Sequence, residues 1–169
     1  MKHLAAFLLV ITAQFSFAQE NIKLDNKAKL QEVLNSFMRC IGTKDSVKFY
    51  SLFHSDPIVW VGVYKDKTQQ KRLEKDASAL NYKTSDYKTW FRSISTGTPK
   101  EEKFYNINMV EDGNIASITF DYSFWADNKK GNWGKESWGL VNINGEWKIT
   151  SVIFSMENEK IFPEPERNK

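Results

Sequence analysis

The sequence predicts an α+β fold in which a curved, mostly antiparallel sheet wraps around about three N-terminal helices. Three observations carry this expectation. Apolar residues recur at three- and four-residue steps from Leu30 to Ile41, the period of a helix that buries one face. From residue 86 onward every segment reads as strand, giving about five antiparallel strands. Finally, Trp133 to Met156 holds two strand-like runs on either side of Asn144-Gly145, a dipeptide that favours the type I′ turn of a β-hairpin. Such a hairpin is marginal alone and needs further strands and a covering layer. The rest of the chain is read as what extends and covers it.

The N-terminus reads as a leader rather than as part of the fold. Lys2 gives a positive start, Leu4 to Ile11 an apolar run, and Ser16-Phe17-Ala18 places small residues at −3 and −1 of a cleavage site after Ala18. This is the pattern of a secretory signal peptide, residues 1–18, bacterial in style, and it implies a periplasmic or secreted mature chain beginning at Gln19. The apolar run is too short to span a bilayer, so no stable membrane insertion is expected. The folded domain is assigned to 26–157, followed by a polar tail, 158–169, that contains Pro163 and Pro165 and is expected to be loose or laid on the surface.

Within the domain, the periodicity predicts a first helix over 26–41, capped by Asp25 or Asn26 and ended by Gly42. A short helix over 44–53 must stop before Pro57. Ile58 to Tyr64 is a β-rich strand with Trp60 and Tyr64 on one face. Asp66 and Gln69 form a capping-box pattern for a third helix running to about Leu80. Tyr87–Ile94, Lys103–Val110 and Ile115–Ala126 are strands; in the last, Ala116, Ile118, Phe120, Tyr122 and Phe124 alternate against a polar face that carries Asp121. A polar loop, 127–132, leads to the hairpin, in which Trp147 and Ile149 are expected to face inward. Helices lying in a curled sheet leave a cone-shaped pocket.

Composition narrows the function. Of the 169 residues, 41% are hydrophobic and 14% aromatic, with 12 Phe and 6 Trp, enough to build a core or an aromatic-lined pocket. A net charge of +3 without a cationic block argues against nucleic acid as a partner. The single cysteine, Cys40, forms no internal disulfide and reads as a small buried hydrophobe. There is no phosphate loop, nucleophile elbow, paired-cysteine motif, zinc-protease signature or calcium loop, so neither a cofactor nor a metal is expected.

His54 is the one histidine left once the leader is removed, and imidazole is the side chain suited to act as a base near neutral pH, which makes it the candidate base. Asp121 is a second candidate: a carboxylate between Phe120 and Tyr122 either faces solvent or lines the pocket. Arg92 alternates with Trp90 and Ile94 and would anchor a substrate carboxylate. Trp60, Tyr64 and Trp138 are core residues that would also line a hydrophobic ligand site.

Two stretches carry a family resemblance. Phe53 to Gly62, FHSDPIVWVG, resembles the lead-in to the first strand of the nuclear transport factor 2-like superfamily, in particular its SnoaL-like or DUF4440-like bacterial domains. Asn144 to Ile149, NGEWKI, resembles the closing strand of the same domains. The resemblance spans about 26–157 and implies a cone fold and a homodimer formed through the sheet. Relatives commonly carry polar or histidine residues two and four positions beyond that closing Ile; here these are Ser151 and Ile153, which favours ligand binding, with Ser151 in the site, over a base on this strand. The fold hosts isomerases, hydrolases, dehydratases and binding modules, so it does not choose among them. Three readings therefore stand: an exported domain binding a small apolar ligand, a cofactor-independent isomerase or hydrolase using His54, and a protein-interaction module. The leader assignment predicts a mature protein starting at Gln19 and lying outside the cytoplasm of its native host. Intact-mass analysis of fractionated cells checks it, and a full-length cytoplasmic product contradicts it.

Overall fold

The computed structural model describes residues 24–55 and 57–166. The leader and its cleavage point therefore lie outside the described residues. Helix α1 (24–43) buries Leu30, Val33, Leu34, Phe37, Cys40 and Ile41, the apolar stripe of its period. It runs through Gly42 and ends where Lys44 takes a left-handed φ of 59°. In α2 (Ser46–Ser51) the Asp45 carboxylate accepts from the Lys48 amide at 2.9 Å, capping the helix. Strand β1 (Val59–Tyr64) follows.

Helix α3 (Asp66–Leu73) is shorter than expected, and the Asp66–Gln69 capping box does not form. Its N-terminus is held from outside instead: the buried Glu157 carboxylate accepts from the Thr68 amide at 2.8 Å and from the Thr68 hydroxyl. Helical backbone bonds continue to the Asp76 amide, and beyond it side chains take over. Asp76 accepts from the Ser78 amide at 2.9 Å, and Gln69 donates to the Ala79 carbonyl at 2.7 Å.

Two elements come next, β2 (Tyr82–Thr84) and α4 (Tyr87–Ile94). The strand expected over Tyr87–Ile94 is a helix. Asp86 caps it by accepting from the Thr89 amide at 2.8 Å, and Tyr87, Trp90, Phe91 and Ile94 recur at helical, not strand, spacing. Arg92 thus lies on the exposed side of a helix rather than on the apolar face of a strand.

The remaining strands are long: β3 (Lys100–Glu111), β4 (Ile115–Ala126), β5 (Lys129–Ile143) and β6 (Glu146–Asn158). Asn144 and Gly145 have φ of 54° and 86°, as a type I′ turn requires. Asp127 and Asn128, with φ of 52° and 58°, make a second tight turn where a longer polar loop was expected.

The six strands form one sheet in the order β2-β1-β6-β5-β4-β3, antiparallel except for β1 against β6. This corrects the expected cone. The sheet is open, with β2 and β3 as its two edges, and is neither closed nor strongly curled. The residues that would have supplied a further strand, Tyr87–Ile94, form α4 instead, so four helices rather than about three stand among the described residues.

Helices α1, α2 and α4 share one layer of aromatic contacts with a single face of the sheet. Ring centroids lie 4.7 Å apart for Phe37 and Trp138, 4.2 Å for Phe49 and Phe91, and 5.1 Å for Trp60 and Trp90. Trp147 and Ile149 are buried in this core, as expected. The described part of the C-terminal tail is laid on the sheet. The Trp133 indole donates to the Phe162 carbonyl at 3.0 Å, and Lys130 pairs with Glu164 at 2.7 Å.

Gly134 marks the tightest point of the sheet: a Cβ there would lie 2.0 Å from the Ser155 carbonyl oxygen and 3.0 Å from the Tyr122 ring. Gly134→Ala is expected to cost roughly 1–3 kcal/mol or more, because the backbone of β6 must move. Gly42→Ala, with nothing within 4 Å, is expected to be neutral or stabilising by up to about 1 kcal/mol through helix propensity. Urea denaturation compares the two, and equal stabilities would contradict the close β5–β6 approach.

Candidate functional site

A cavity of about 250 Å³ lies between the inner face of the sheet and helices α1 and α4. Its apolar wall consists of Phe37 from α1, Trp60 from β1, Trp90 and Ile94 from α4, Phe124 from β4, and Phe154 and Met156 from β6. Its polar groups are Glu102, Tyr122 and Glu136, with Lys83, Ser93 and Asn132.

Strand alternation places the three central polar groups together. Glu102 on β3 lies opposite Phe124, Tyr122 on β4 opposite Phe104 and Gly134, and Glu136 on β5 opposite Phe120 and Phe154. Each therefore projects to the face that carries Phe104, Phe120 and Trp138. Two glycines shape the space. Gly134 leaves room beside the Tyr122 ring, and Gly62 leaves room for the Phe154 ring, whose Cζ would stand 2.4 Å from any Cβ there.

The electrostatics follow from burial. Glu102, Tyr122 and Glu136 are each at most 5% exposed. Burial pushes the Glu136 carboxyl up to about 8, partly opposed by the Trp138 indole, which donates to its Oε2 at 2.6 Å. Burial, then the Glu136 charge, raises Glu102 well above the usual carboxylate range. Burial and both carboxylates raise the Tyr122 phenol, whose hydroxyl has no hydrogen-bond partner among the described residues. Burial lowers the Lys83 ammonium, and Arg72 adds to this. Two buried carboxyls lining one cavity therefore resist ionising together. The arrangement can therefore accept a cation, donate a hydrogen bond or hold a proton inside an apolar wall.

The residues singled out from the sequence are scattered. Trp60 lines the cavity. Trp138 lies just beneath it, fully buried, and contributes its indole N–H to Glu136. Tyr64 lies at the end of β1 with the Arg72 guanidinium 3.9 Å over its ring, away from the cavity lining. Arg92 is bonded to the Thr89 hydroxyl at 2.8 Å on the outside of α4. Asp121 is on the opposite sheet face, paired with Lys135 at 2.6 Å and accepting from Asn106 at 2.7 Å. Ser151 accepts from the Gly139 amide at 3.1 Å, also away from the lining. His54 sits after α2, its Nδ1 2.7 Å from the Ser55 carbonyl oxygen, and is not among the cavity residues.

Glu102 and Glu136 were missed although the signal was present. Glu136 is in phase with Trp138 and Leu140, and Glu102 with Phe104, so period-two alternation alone puts both on the buried face. Among the described residues no group of three or more His, Cys, Asp or Glu converges as a metal site, and no helix is long and apolar enough to cross a membrane.

No family model matches the chain, and no curated protein matches it in sequence. Solved structures match its fold. A protein of unknown function with a cystatin-like fold from Nostoc punctiforme is 12% identical, with a TM-score of 0.57 over 78% of this chain and 90% of that one. An NTF2-like protein of unknown function from Pseudomonas putida is 10% identical, with a TM-score of 0.57 over 78% and 87%. A putative scytalone dehydratase from Novosphingobium aromaticivorans is 12% identical, with a TM-score of 0.59 over 82% and 88%. Identities this low show the fold alone: the chain has the α+β fold shared by NTF2-like and cystatin-like proteins.

Proposed function

We propose that the protein is an exported, homodimeric small-molecule-binding domain of the SnoaL-like or DUF4440-like kind. The observation that carries the binding reading is the cavity itself, a space of about 250 Å³ walled by Phe37, Trp60, Trp90, Phe124 and Phe154 and floored by three buried polar side chains. Its volume lies just under the usual range for ligand sites, roughly 300–1,000 Å³, so the ligand is small. Support for the dimer comes from the open sheet face, where Val59, Val63 and Ile153 stay 38–51% exposed beside one another on β1 and β6.

The carboxyl pair favours a second reading, cofactor-independent acid–base chemistry on a small substrate. In that reading Glu102 and Glu136 hold the working proton, since the cavity does not include His54.

Native mass spectrometry of protein purified from its own host tests the first reading. The expected spectrum is a dimer that retains a small molecule, which is lost in Trp60→Ala and kept in His54→Ala. A monomer at every concentration contradicts the dimer. A ligand kept by folded Trp60→Ala contradicts the assignment of the cavity.

A further inference from the structure

The cavity holds two carboxyls but almost nothing to balance them. Among the described residues no ion pair reaches Glu102 or Glu136. The one basic side chain in the lining, Lys83, has its Nζ 5.5 Å over the Phe154 ring rather than on either carboxylate. The third central group, the Tyr122 hydroxyl, is buried and unpartnered and lines the same space. It can accept an N–H while donating its own O–H as a hydrogen bond to a carboxylate oxygen. The walls are aromatic, and ring faces attract cations most strongly where water is excluded.

Resting on the binding reading above, we propose that the ligand is a small organic cation, an ammonium on a compact apolar body, with its N–H groups on Glu102, Glu136 and Tyr122 and its body among the rings. The chemistry is complementary. The ligand supplies the positive charge that would let one of the two carboxyls ionise, and an N–H to that carboxylate is a charge-assisted bond. Binding then expels a proton that burial keeps on the carboxyl near neutral pH. The groups that face this site and titrate are Glu102 on β3, Tyr122 on β4, Glu136 on β5 and Lys83 on β2. The residues contributed by α1, α4, β1 and β6, namely Phe37, Trp90, Ser93, Ile94, Trp60, Phe154 and Met156, carry no charge. Lys83 is a like charge to the ligand and should oppose it.

Three near-isosteric probes separate the ligand classes by titration calorimetry at pH 7: cyclohexylmethylammonium, cyclohexylmethanol and cyclohexanecarboxylate. The ammonium is expected to bind about tenfold or more tighter than the alcohol, with the carboxylate weakest. In buffers of different ionisation enthalpy its binding should release about one proton. Glu102→Gln and Glu136→Gln, each keeping side-chain size, should weaken the ammonium by about tenfold and leave the alcohol unchanged. Lys83→Met should tighten the ammonium. An alcohol or carboxylate that binds as tightly as the ammonium, or ammonium binding without proton release, overturns the cation assignment and leaves a binding cavity standing. Failure of all three probes overturns the cavity reading along with it. The probe ranking on the unaltered protein decides the matter even if a Gln variant does not fold.

Discussion

Two carboxyl groups and a phenol lie under aromatic rings on the covered face of this sheet, and much of the surrounding structure accommodates them. Glu136 is steadied by the Trp138 indole, itself fixed between the Phe37, Phe104 and Phe120 rings. Tyr122 has its space because β5 carries glycine at position 134, and Phe154 has its space because β1 carries glycine at position 62. Aromatic packing and the polar floor are therefore one arrangement. A change to the packing moves the carboxyls, and a change to the carboxyls alters what the rings must cover.

This burial has a definite sign in pH. The folded Glu136 carboxyl sits near 8, above its ordinary value of 4.5, so the folded chain binds a proton more tightly than the unfolded one. The stability tied to that proton is fully present below about 4.5 and is lost as pH rises towards 8. Glu102 shifts in the same direction. Deprotonation as the pH rises through that value would strain the site, since it leaves charge buried among apolar rings. A bound cation would relieve that strain, which links ligand binding to stability through the same groups.

Much of the fold was legible because local signals agreed with tertiary ones. The stripe from Leu30 to Ile41 is buried, Asn144-Gly145 turns with both φ positive, and the Ile118–Phe120–Tyr122 alternation points inward. The errors have physical sources. Tyr87–Ile94 is rich in aromatic and β-branched residues and was read at period two, whereas its buried positions, Tyr87 and Phe91, are four apart. That segment adds a fourth helix over the sheet instead of a strand within it. The start of α3 was assigned to its own Asp66, but the cap comes from Glu157, about ninety positions away and invisible to local patterning. At the site, attention went to His54 and Asp121 as conspicuous titratable residues. The informative feature was phase: a glutamate in step with Trp138 and Leu140 must be buried or break the strand pattern.

The central claim is that Glu102 and Glu136 share one buried, proton-holding site. Side-chain carboxyl 13C chemical shifts followed from pH 3 to 9 on the ligand-free protein address it most directly. The account predicts two glutamate carboxyls titrating above the ordinary glutamate range, with Glu136 near 8, and Glu136→Gln should bring the Glu102 titration down. Two carboxyls that titrate independently in the ordinary glutamate range, near 4.3, would contradict it.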